Sequence, residues 1–561
     1  MNIIENLLFH SPALIVAIPL LGAFLTPLVS RINDKARNVF VIFIVALTSF
    51  FVFLLSYNIL TNGSLSTNSM FWREGGIQFY VFGGGPATVG TGESSFAIRI
   101  LFEVDGLNAF MAIIATILAI AGVIYSWSFM KENTGLDKYY TLILLMIAGM
   151  FGMMLTGDMF NFFVFLEITS ISSCALIAFW TNKGKAVDAG FKYIVISAIG
   201  ALFVLFAIGI LYSQYNALNM AVLADSIQYT FLDKIALILL IAGLAMKAGI
   251  VPMHMWLPDA YGRAPSSVTL ILIGATQASL YGMFRMTFSV YGKTIGSTEF
   301  TSSITDTVMN VNTIGWLLIV LAIATMLIGV LMALKQYDLK RLIAFAALAE
   351  IGYMLLGLGV RLASKYIQTD TTGAMTGVAF QEYSNPALTG SIFHIMNDAL
   401  DIGLLFLVAG AIYLATRETS LNKLGGLARN MKYTTVFFLI GLLAVSGMPP
   451  MNGFASKLII YESTYQLNPI IGIIAILASI LLLAVFVKVF HSAFLGPKLP
   501  QFKGVKEVPK SMLLAMGIIA CIIIFFGLFP NIVIENIVQP AADAITNYSS
   551  YITSVTGGII P

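Results

Sequence analysis

The sequence predicts an all-α polytopic membrane protein of about 14 transmembrane helices, with two inverted five-helix repeats and two broken helices. Its 561 residues are 58% hydrophobic and only 10% charged, and the mean hydropathy is +0.91, which excludes an ordinary water-soluble domain. Apolar runs of about 20 residues, the length that crosses a bilayer as a helix, recur between short polar links. Two of these runs are interrupted by Gly and Pro beside a Lys.

The predicted spans follow the apolar runs in order. They are 12–30, 37–60, 106–130, 139–156, 158–180, 190–214, 231–256, 265–290, 312–334, 338–361, 387–415, 434–462, 468–495 and 511–536. The long polar insertion 61–104 contains the alternating stretches IQFYVF and FAIRILF, which predict a small hairpin over one membrane face. The polar segment 362–386 is expected to be a plain loop.

The distribution of Lys and Arg predicts the orientation. Links after odd-numbered spans carry about 17 of these residues and links after even-numbered spans about six, and cytoplasmic links carry the excess. We therefore expect a multi-pass protein of the cytoplasmic (cell) membrane with both termini outside. The net charge of +3 reflects this topology and argues for no nucleic-acid partner.

The interrupted runs predict the repeats. Span 7 reads KAGIVP from Lys247, and span 12 reads GMPPMNG shortly before Lys457. Proline removes a helical hydrogen bond, and inside a membrane the freed backbone groups are tolerated only within protein or beside water. Spans 4–8 and 9–13 then form repeats in which spans 7 and 12 are each the fourth member, and an odd number of spans makes the repeats inverted. The predicted divisions are 1–105 (spans 1 and 2 with the external loop), 106–136 (span 3), 137–290 (first repeat), 312–495 (second repeat) and 496–561 (span 14 and C-terminal tail).

Ionisable residues inside the spans are the candidate site. A charge in mid-membrane costs about 2.5–3.5 kcal/mol, so such a residue indicates a function. Glu167 in span 5 and Glu350 in span 10 hold matching positions in the two repeats, which predicts the pairs Glu167 with Lys247 and Glu350 with Lys457. The alternative for both pairs is a structural salt bridge that holds two helices together.

Further polar candidates lie in spans 7 and 11. His254 follows the break in span 7, and His394, Asp398 and Asp401 recur at near-helical spacing on one face of span 11. We assign all four to an ion pathway, with a structural polar role as the alternative. Two Cys and four scattered His exclude an iron–sulfur cluster, and provide no haem or zinc site. No catalytic, cofactor-binding or metal-binding residue is therefore predicted, and redox chemistry would belong to partner subunits.

The runs MKAGIVPMHMWLPDAYGRAP, DLKRLIAFAALAEIGY and GMPPMNGFASK closely resemble the antiporter-like subunits of the complex I superfamily. This family includes proton-pumping subunits of respiratory complex I, large subunits of Mrp Na+/H+ antiporters, and counterparts in membrane-bound hydrogenases and sulfur-reducing complexes. The resemblance covers roughly residues 100–500 and is nearest to the D-type Mrp subunit. It implies the same 14-span inverted-repeat fold.

The resemblance also implies roles for individual residues. Glu167 matches the family's span-5 Glu, Lys247 its span-7 Lys and Lys457 its span-12 Lys or Glu. The chain departs from the family in the centre of the relay. The family usually has Lys where this chain has Gln277, and the positions often held by His and Lys are Asp398 and Ile402 here.

The expected function is proton or Na+ translocation. We predict that protons pass from Lys247 by His254, waters near Gln277, and Asp398 or His394 to Lys457. Three classes of protein remain open. The first is a subunit of an energy-converting redox complex, with iron–sulfur and nickel–iron centres in a peripheral redox module. The second is a subunit of an Mrp-type antiporter without redox chemistry, and the third is a structural subunit that has lost transport. Partners in the lipid bilayer would be other antiporter-like and small hydrophobic subunits.

Overall fold

The protein is a bundle of membrane-spanning helices. The computed structural model describes the chain except residues 1–2, 62, 64, 66–71, 74–75, 83–99, 296–310, 370–374, 498, 503 and 560–561. Within the described residues, 12 helices are long and apolar enough to cross a membrane. Two more spans are each divided into two shorter helices. The predicted all-α membrane fold with two broken helices is confirmed.

The spans keep their predicted order, and their bounds shift by up to nine residues, the largest shift being at span 1, which begins at Ile3 instead of residue 12. Span 7 consists of Phe231–Ala248 and Trp256–Arg263, and span 12 of Lys432–Val445 and Asn452–Leu467. The continuous spans are Ile3–Ser30, Asp34–Leu60, Gly106–Phe129, Leu136–Leu155, Met159–Ile177, Gly184–Tyr215, Ser266–Val290, Val311–Lys335, Leu339–Ala363, Ser384–Thr416, Pro469–Leu495 and Lys510–Leu528. Short helices lie at Met220–Ser226, Gly292–Ile295, Leu421–Lys423, Leu427–Arg429, Pro500–Phe502, Pro530–Val533, Ile534–Val538, Gln539–Thr546 and Tyr548–Ile559.

Glycine and proline end the first helix of each broken span. The helix of span 7 ends at Ala248, because Gly249 adopts φ +77°, a left-handed conformation that glycine tolerates best. In span 12 the first helix ends at Val445, Gly447 has φ +66°, and two prolines precede the second helix. Span 14 also ends earlier than predicted, at Leu528 instead of residue 536, because Pro530 interrupts the helix.

The most buried spans form the centre of the bundle. The most apolar windows of spans 8 and 10 are wholly buried, whereas those of spans 1, 6 and 14 are at most two-fifths buried. Span 11 packs against spans 3, 8, 10 and 14 and against both halves of span 12. The spans that carry most of the polar candidates therefore lie together, away from lipid.

The predicted hairpin is confirmed, and a third strand and a packed helix add to it. Strands β1 (Trp72–Arg73), β2 (Ile77–Val81) and β3 (Leu101–Val104) form an antiparallel sheet in the order β1-β2-β3, although residues 96–99 of the second predicted stretch lie outside the described part. We call this end of the bundle the hairpin face. The C-terminal helix Tyr548–Ile559 packs on the sheet through Tyr551, Ile552 and Val555.

The expectation of a plain loop at 362–386 is wrong. Strands β4 (Lys365–Thr369) and β5 (Met375–Phe380) pair antiparallel, and the Gln381 N–H continues the pairing to the Ser364 carbonyl at 3.2 Å. The segment is polar overall, which hid the β-branched and aromatic residues that favour strands.

A buried ion cluster fastens the hairpin face. Arg285 of span 8 forms an ion pair with Asp105, the N-cap of span 3. Beside it, Glu103 of β3 accepts hydrogen bonds from Tyr551 Oη at 2.6 Å and from Asn219 Nδ2 at 2.8 Å. The Arg285 guanidinium lies 4.4 Å from the centre of the Tyr551 ring. These contacts join β3, spans 3 and 8, and the C-terminal helix.

We expect the stability of the protein to depend on pH through Glu103. Desolvation by burial raises the pKa of Glu103 from 4.5 to about 7, against the opposing effects of Tyr551 and Arg285. An unfolded chain releases this proton at lower pH than the folded chain, so this contribution to stability is present below about pH 4.5 and is lost as the pH rises towards 7. The variant Glu103→Gln cannot titrate at this position, so its stability should fall less between about pH 4.5 and 7 than that of the wild type.

The measurement is the apparent melting temperature of the detergent-solubilised protein between about pH 5 and 8, where about 1 kcal/mol corresponds to a shift of roughly 1 °C for a chain of 561 residues. The control is Glu132→Gln, because the Glu132 side chain is 74% exposed on the opposite end of the bundle. A Glu103→Gln profile parallel to that of the wild type would contradict the assignment.

Candidate functional site

A lysine–glutamate pair lies at the break in span 7, within the predicted first repeat. Lys247 Nζ lies 3.4 Å from Glu167 Oε1 and donates a hydrogen bond to Ser170 Oγ at 2.5 Å. Glu167 and Ser170 are three residues apart on span 5 and therefore share one face of that helix. The Lys247 side chain is 4% exposed and that of Glu167 is 29% exposed. Lys247 is thus buried, while its partner reaches the surface of the bundle.

A small polar cavity extends from Lys247 towards span 8. Its volume is about 10 Å³, close to the space that one water molecule needs. Its polar lining, apart from Lys247, comprises Thr169, Ser170, Tyr193, Thr276 and Ser279. Thr276 of this lining neighbours Gln277 on span 8, but successive residues of a helix face different sides, and Gln277 itself does not line the cavity.

The centre of the bundle contains a hydrogen-bonded pair between spans 8 and 11. Gln277 Nε2 donates to Asp398 Oδ2 at 3.0 Å, and both residues are buried. Asp401 lies on the same face of span 11, three residues further along the helix. Within the described residues, Gln277 Oε1, Asp398 Oδ1 and Asp401 Oδ1 are buried without a hydrogen-bond partner. Buried polar atoms of this kind are commonly satisfied by internal water.

The second repeat contains a fully buried triad. Glu350 Oε1 lies 2.8 Å from Lys457 Nζ, and Glu350 Oε2 lies 2.9 Å from His394 Nε2. His394 Nδ1 lies 3.1 Å from Ser456 Oγ. Lys457 also donates to the carbonyl of Val445 at 2.7 Å. Val445 ends the first helix of span 12, so the lysine satisfies a carbonyl that the break leaves without a helical partner.

Neutral polar residues that were not predicted from the sequence surround the triad. Asn397 Nδ2 donates to Ser456 Oγ at 2.9 Å and to the Asn452 carbonyl at 3.1 Å, and Asn452 Nδ2 donates to Asn397 Oδ1 at 3.1 Å. The signal for Asn397 was present, since it lies three residues after His394 on the polar face of span 11. Ser170 and Ser456 carried no comparable signal, because Ser170 is one of several hydroxyl residues in the run TSISS and Ser456 is one of two serines in the second helix of span 12.

Eight of the nine predicted site residues fall on this buried polar region, and His254 does not. His254 lies in the link between the two helices of span 7, is partly exposed, and its Nδ1 is 3.2 Å from the Pro252 carbonyl. Among the described residues it forms no hydrogen bond or ion pair with another candidate. No group of three or more His, Cys, Asp and Glu side chains in the described part is placed to hold a metal ion.

The matched region of a protein-family profile contains all nine candidates. The profile described as NADH:quinone oxidoreductase/Mrp antiporter, TM, matches residues 156–482, which is more than half of the chain. The chain belongs to this family. A second profile, the N-terminus of chain 5 of NADH-ubiquinone oxidoreductase (complex I), matches residues 91–140. The predicted superfamily is therefore confirmed, and the protein is a multi-pass membrane protein.

Two curated relatives cover nearly all of this chain. The N subunit of the NADH-quinone oxidoreductase of Desulforudis audaxviator is 29% identical over 95% of this chain and 98% of its own length. The A subunit of the Na(+)/H(+) antiporter of Alkalihalophilus pseudofirmus is 28% identical over 94% of this chain, which spans only 62% of that longer protein.

Two solved structures have the same fold. A chain of an archaeal respiratory membrane complex, the membrane-bound sulfane sulfur reductase, has a TM-score of 0.79 at 26% identity and covers 97% of this chain and 99% of its own. A chain of the Mrp complex from Dietzia sp. DQ12-45-1b has a TM-score of 0.77 at 21% identity, covering 99% of this chain and 100% of its own.

The two lysine–glutamate pairs should differ in their contribution to stability. Glu350 is 1% exposed and contacts two partners, so Glu350→Gln leaves Lys457 buried without its carboxylate, and loss of a buried partner costs roughly 3–5 kcal/mol. Glu167→Gln should cost less, because Glu167 is 29% exposed. Thermal unfolding of the two variants in detergent, with Glu132→Gln as the exposed control, measures the difference. Equal destabilisation by both substitutions would contradict the inferred difference in burial.

Proposed function

We propose that this chain translocates protons, as a subunit of a multi-subunit membrane complex, along the polar residues that join its two repeats. The observation that carries the proposal is the arrangement of three polar groups through the apolar bundle: Glu167 with Lys247, Gln277 with Asp398, and Glu350 with His394 and Lys457. Buried ionisable residues are costly in a membrane and typically mark ion paths.

The path begins at Lys247. The small polar cavity between Lys247 and span 8 accommodates a water molecule that can pass a proton towards Gln277. Gln277 does not hold a proton at neutral pH, but its amide orients Asp398, whose carboxylate can accept one. From Asp398 or Asp401 the proton continues to His394, Glu350 and Lys457. His254 lies beside the break and joins the path only through water.

The driving step is a change in the Lys247–Glu167 separation. A neighbouring carboxylate favours the charged form of an amine, so the strength with which Lys247 holds a proton depends on this distance. At 3.4 Å the pair has room to tighten. Because Glu167 reaches the bundle surface, an adjoining protein of the complex can act on it directly. Na+ prefers several oxygen ligands. On the proposed path, the carboxylates of Asp398 and Asp401 are the candidate ligands for this ion.

The assembly that best fits the chain is an energy-converting redox complex. The support is the near full-length similarity to the N subunit of an NADH-quinone oxidoreductase and to a chain of the sulfane sulfur reductase. Iron–sulfur centres, and nickel–iron centres where the complex is a hydrogenase, would then reside in partner subunits. The second candidate is an Mrp-type antiporter component, favoured by the 28% identity to the A subunit of a Na(+)/H(+) antiporter. The distribution of Lys and Arg supports both termini lying outside the cell.

Transport should fail when Lys247 or Gln277 is replaced. We expect Lys247→Ala to lower proton flux to roughly one tenth or less, since a lost interaction of about 1.4 kcal/mol changes a rate tenfold. Gln277→Leu keeps the side-chain size but removes the hydrogen bond to Asp398, and should also reduce the flux. The measurement is proton flux into proteoliposomes that contain the intact complex, under an imposed membrane potential.

Matched controls separate transport from folding. Lys488→Ala removes a lysine of span 13 that donates to the Leu334 carbonyl, and Gln214→Leu removes a glutamine of span 6 that donates to Thr230. Neither residue lies on the proposed path, so both variants should retain wild-type flux. Wild-type proton flux in the Lys247→Ala variant would contradict the proposed path.

The composition of the native complex distinguishes the two assemblies. The complex is isolated from membranes in mild detergent, its chains are identified by mass spectrometry, and its iron and nickel are assayed. We expect stoichiometric iron and cluster-binding partner chains. An iron-free assembly of hydrophobic subunits would instead assign the chain to an antiporter without redox chemistry.

A further inference from the structure

A pocket lined by basic residues lies at the end of the bundle opposite the hairpin face, away from the proposed ion path. We call this end the basic face; it is formed by the links that follow odd-numbered spans. The pocket has a volume of about 350 Å³ and is bordered by spans 3, 6, 7, 8, 10 and 11. Its charged lining residues are Lys183, Lys185, Arg263, Asp338 and Lys340. Four basic side chains thus line the pocket together with one carboxylate.

We propose that this pocket binds the phosphate group of an anionic phospholipid. The single carboxylate is already engaged, because Asp338 accepts hydrogen bonds from the Arg341 N–H at 3.1 Å and from Thr419 Oγ1 at 3.0 Å. Arg263 Nη1 lies 3.6 Å from it. Its charge offsets that of Arg263, and the charges of the exposed Lys183 and Lys185 remain for an external anion.

The structure positions two of these lysines. Lys183 Nζ donates to Tyr413 Oη at 2.8 Å and lies 3.9 Å from the centre of the Trp180 ring. Lys340 is 5% exposed, and its Nζ donates to the Ala264 carbonyl. Burial of an ammonium group is costly unless it is paired. Lys340 is thus held inside the pocket by the Ala264 carbonyl, and Lys183 is held at its exposed rim by Tyr413 and Trp180.

Two helices also begin at the pocket. Span 6 begins at Gly184 and span 8 at Ser266, and neither Lys183 nor Pro265, their N-caps, provides a side-chain cap. The N–H groups and partial positive charge at a helix N-terminus favour anions. Ser266 lines the pocket and is 1% exposed, yet its Oγ has no hydrogen-bond partner among the described residues. A phosphate oxygen would satisfy this buried hydroxyl.

The location favours a lipid over a soluble anion. The remaining lining includes the aromatic side chains of Phe129, Trp180 and Tyr413, and aromatic residues concentrate at the depth of lipid head groups. Basic pockets between transmembrane helices can hold anionic head groups at this depth. The apolar lining would contact the glycerol and upper acyl region of the same lipid, which inorganic phosphate cannot do.

The test uses the full-length protein and the double variant Lys183→Gln with Lys185→Gln. Both lysines are exposed, so the substitutions should leave the fold intact. The probes are phosphatidylglycerol in phosphatidylcholine nanodiscs and, separately, inorganic phosphate. Native mass spectrometry measures the phosphatidylglycerol retained by each protein. We expect at least about tenfold weaker retention in the double variant, since it removes two of the four basic side chains that attract an anionic head group.

The matched control is Lys432→Gln with Lys506→Gln, which removes two exposed lysines from the same face outside the pocket. It should retain phosphatidylglycerol as the wild type does, and Ser266→Ala should weaken retention without a change in surface charge. If the double variant and the control lose phosphatidylglycerol to the same extent, the pocket is not the lipid-binding site. Displacement of the lipid by millimolar inorganic phosphate would overturn the lipid assignment and make the pocket a site for free phosphate.

Discussion

The structure depends on one constraint, the need to pair polar groups inside the membrane, and the hydrogen bond from Lys457 to the Val445 carbonyl is an example of it. Inside a bilayer each backbone polar group and each charge must find a partner within the protein. The break in span 12 frees carbonyls, and the lysine satisfies one of them at 2.7 Å while Glu350 balances its charge at 2.8 Å. The broken helix and the buried ion pair therefore stabilise each other, and removal of either leaves the other unsatisfied.

Span 11 adds a row of polar residues between the second ion pair and span 8. It packs against spans 8 and 10 and both halves of span 12, and it presents His394, Asn397, Asp398 and Asp401 along one face. His394 approaches the second ion pair, while Asp398 is bonded to Gln277 of span 8. Span 8 in turn borders the small cavity beside Lys247. At this centre Gln277 bonds Asp398, while its Oε1 is buried without a partner among the described residues.

The sequence predicted the features that follow from composition and helix-breaking residues, and missed those that follow from packing. Charges within apolar runs correctly predicted the contacts of Glu167 with Lys247 and Glu350 with Lys457. Hydropathy did not distinguish β4 and β5 from a loop, because their strand pattern is short and lies in a polar segment. The cluster of Glu103, Arg285 and Tyr551 joins residues hundreds of positions apart, so no local pattern could bring them together.

The two lysine–glutamate pairs use the same side chains in unlike surroundings. Glu350 is closed in by Lys457 and His394 and is 1% exposed, whereas Glu167 has one lysine partner at 3.4 Å and is 29% exposed. A pair that reaches the surface responds to whatever packs against it, while a sealed triad responds only through the polar residues of span 11. In the proposed mechanism an external change acts first on the Glu167–Lys247 pair, and the polar centre carries its effect to Lys457.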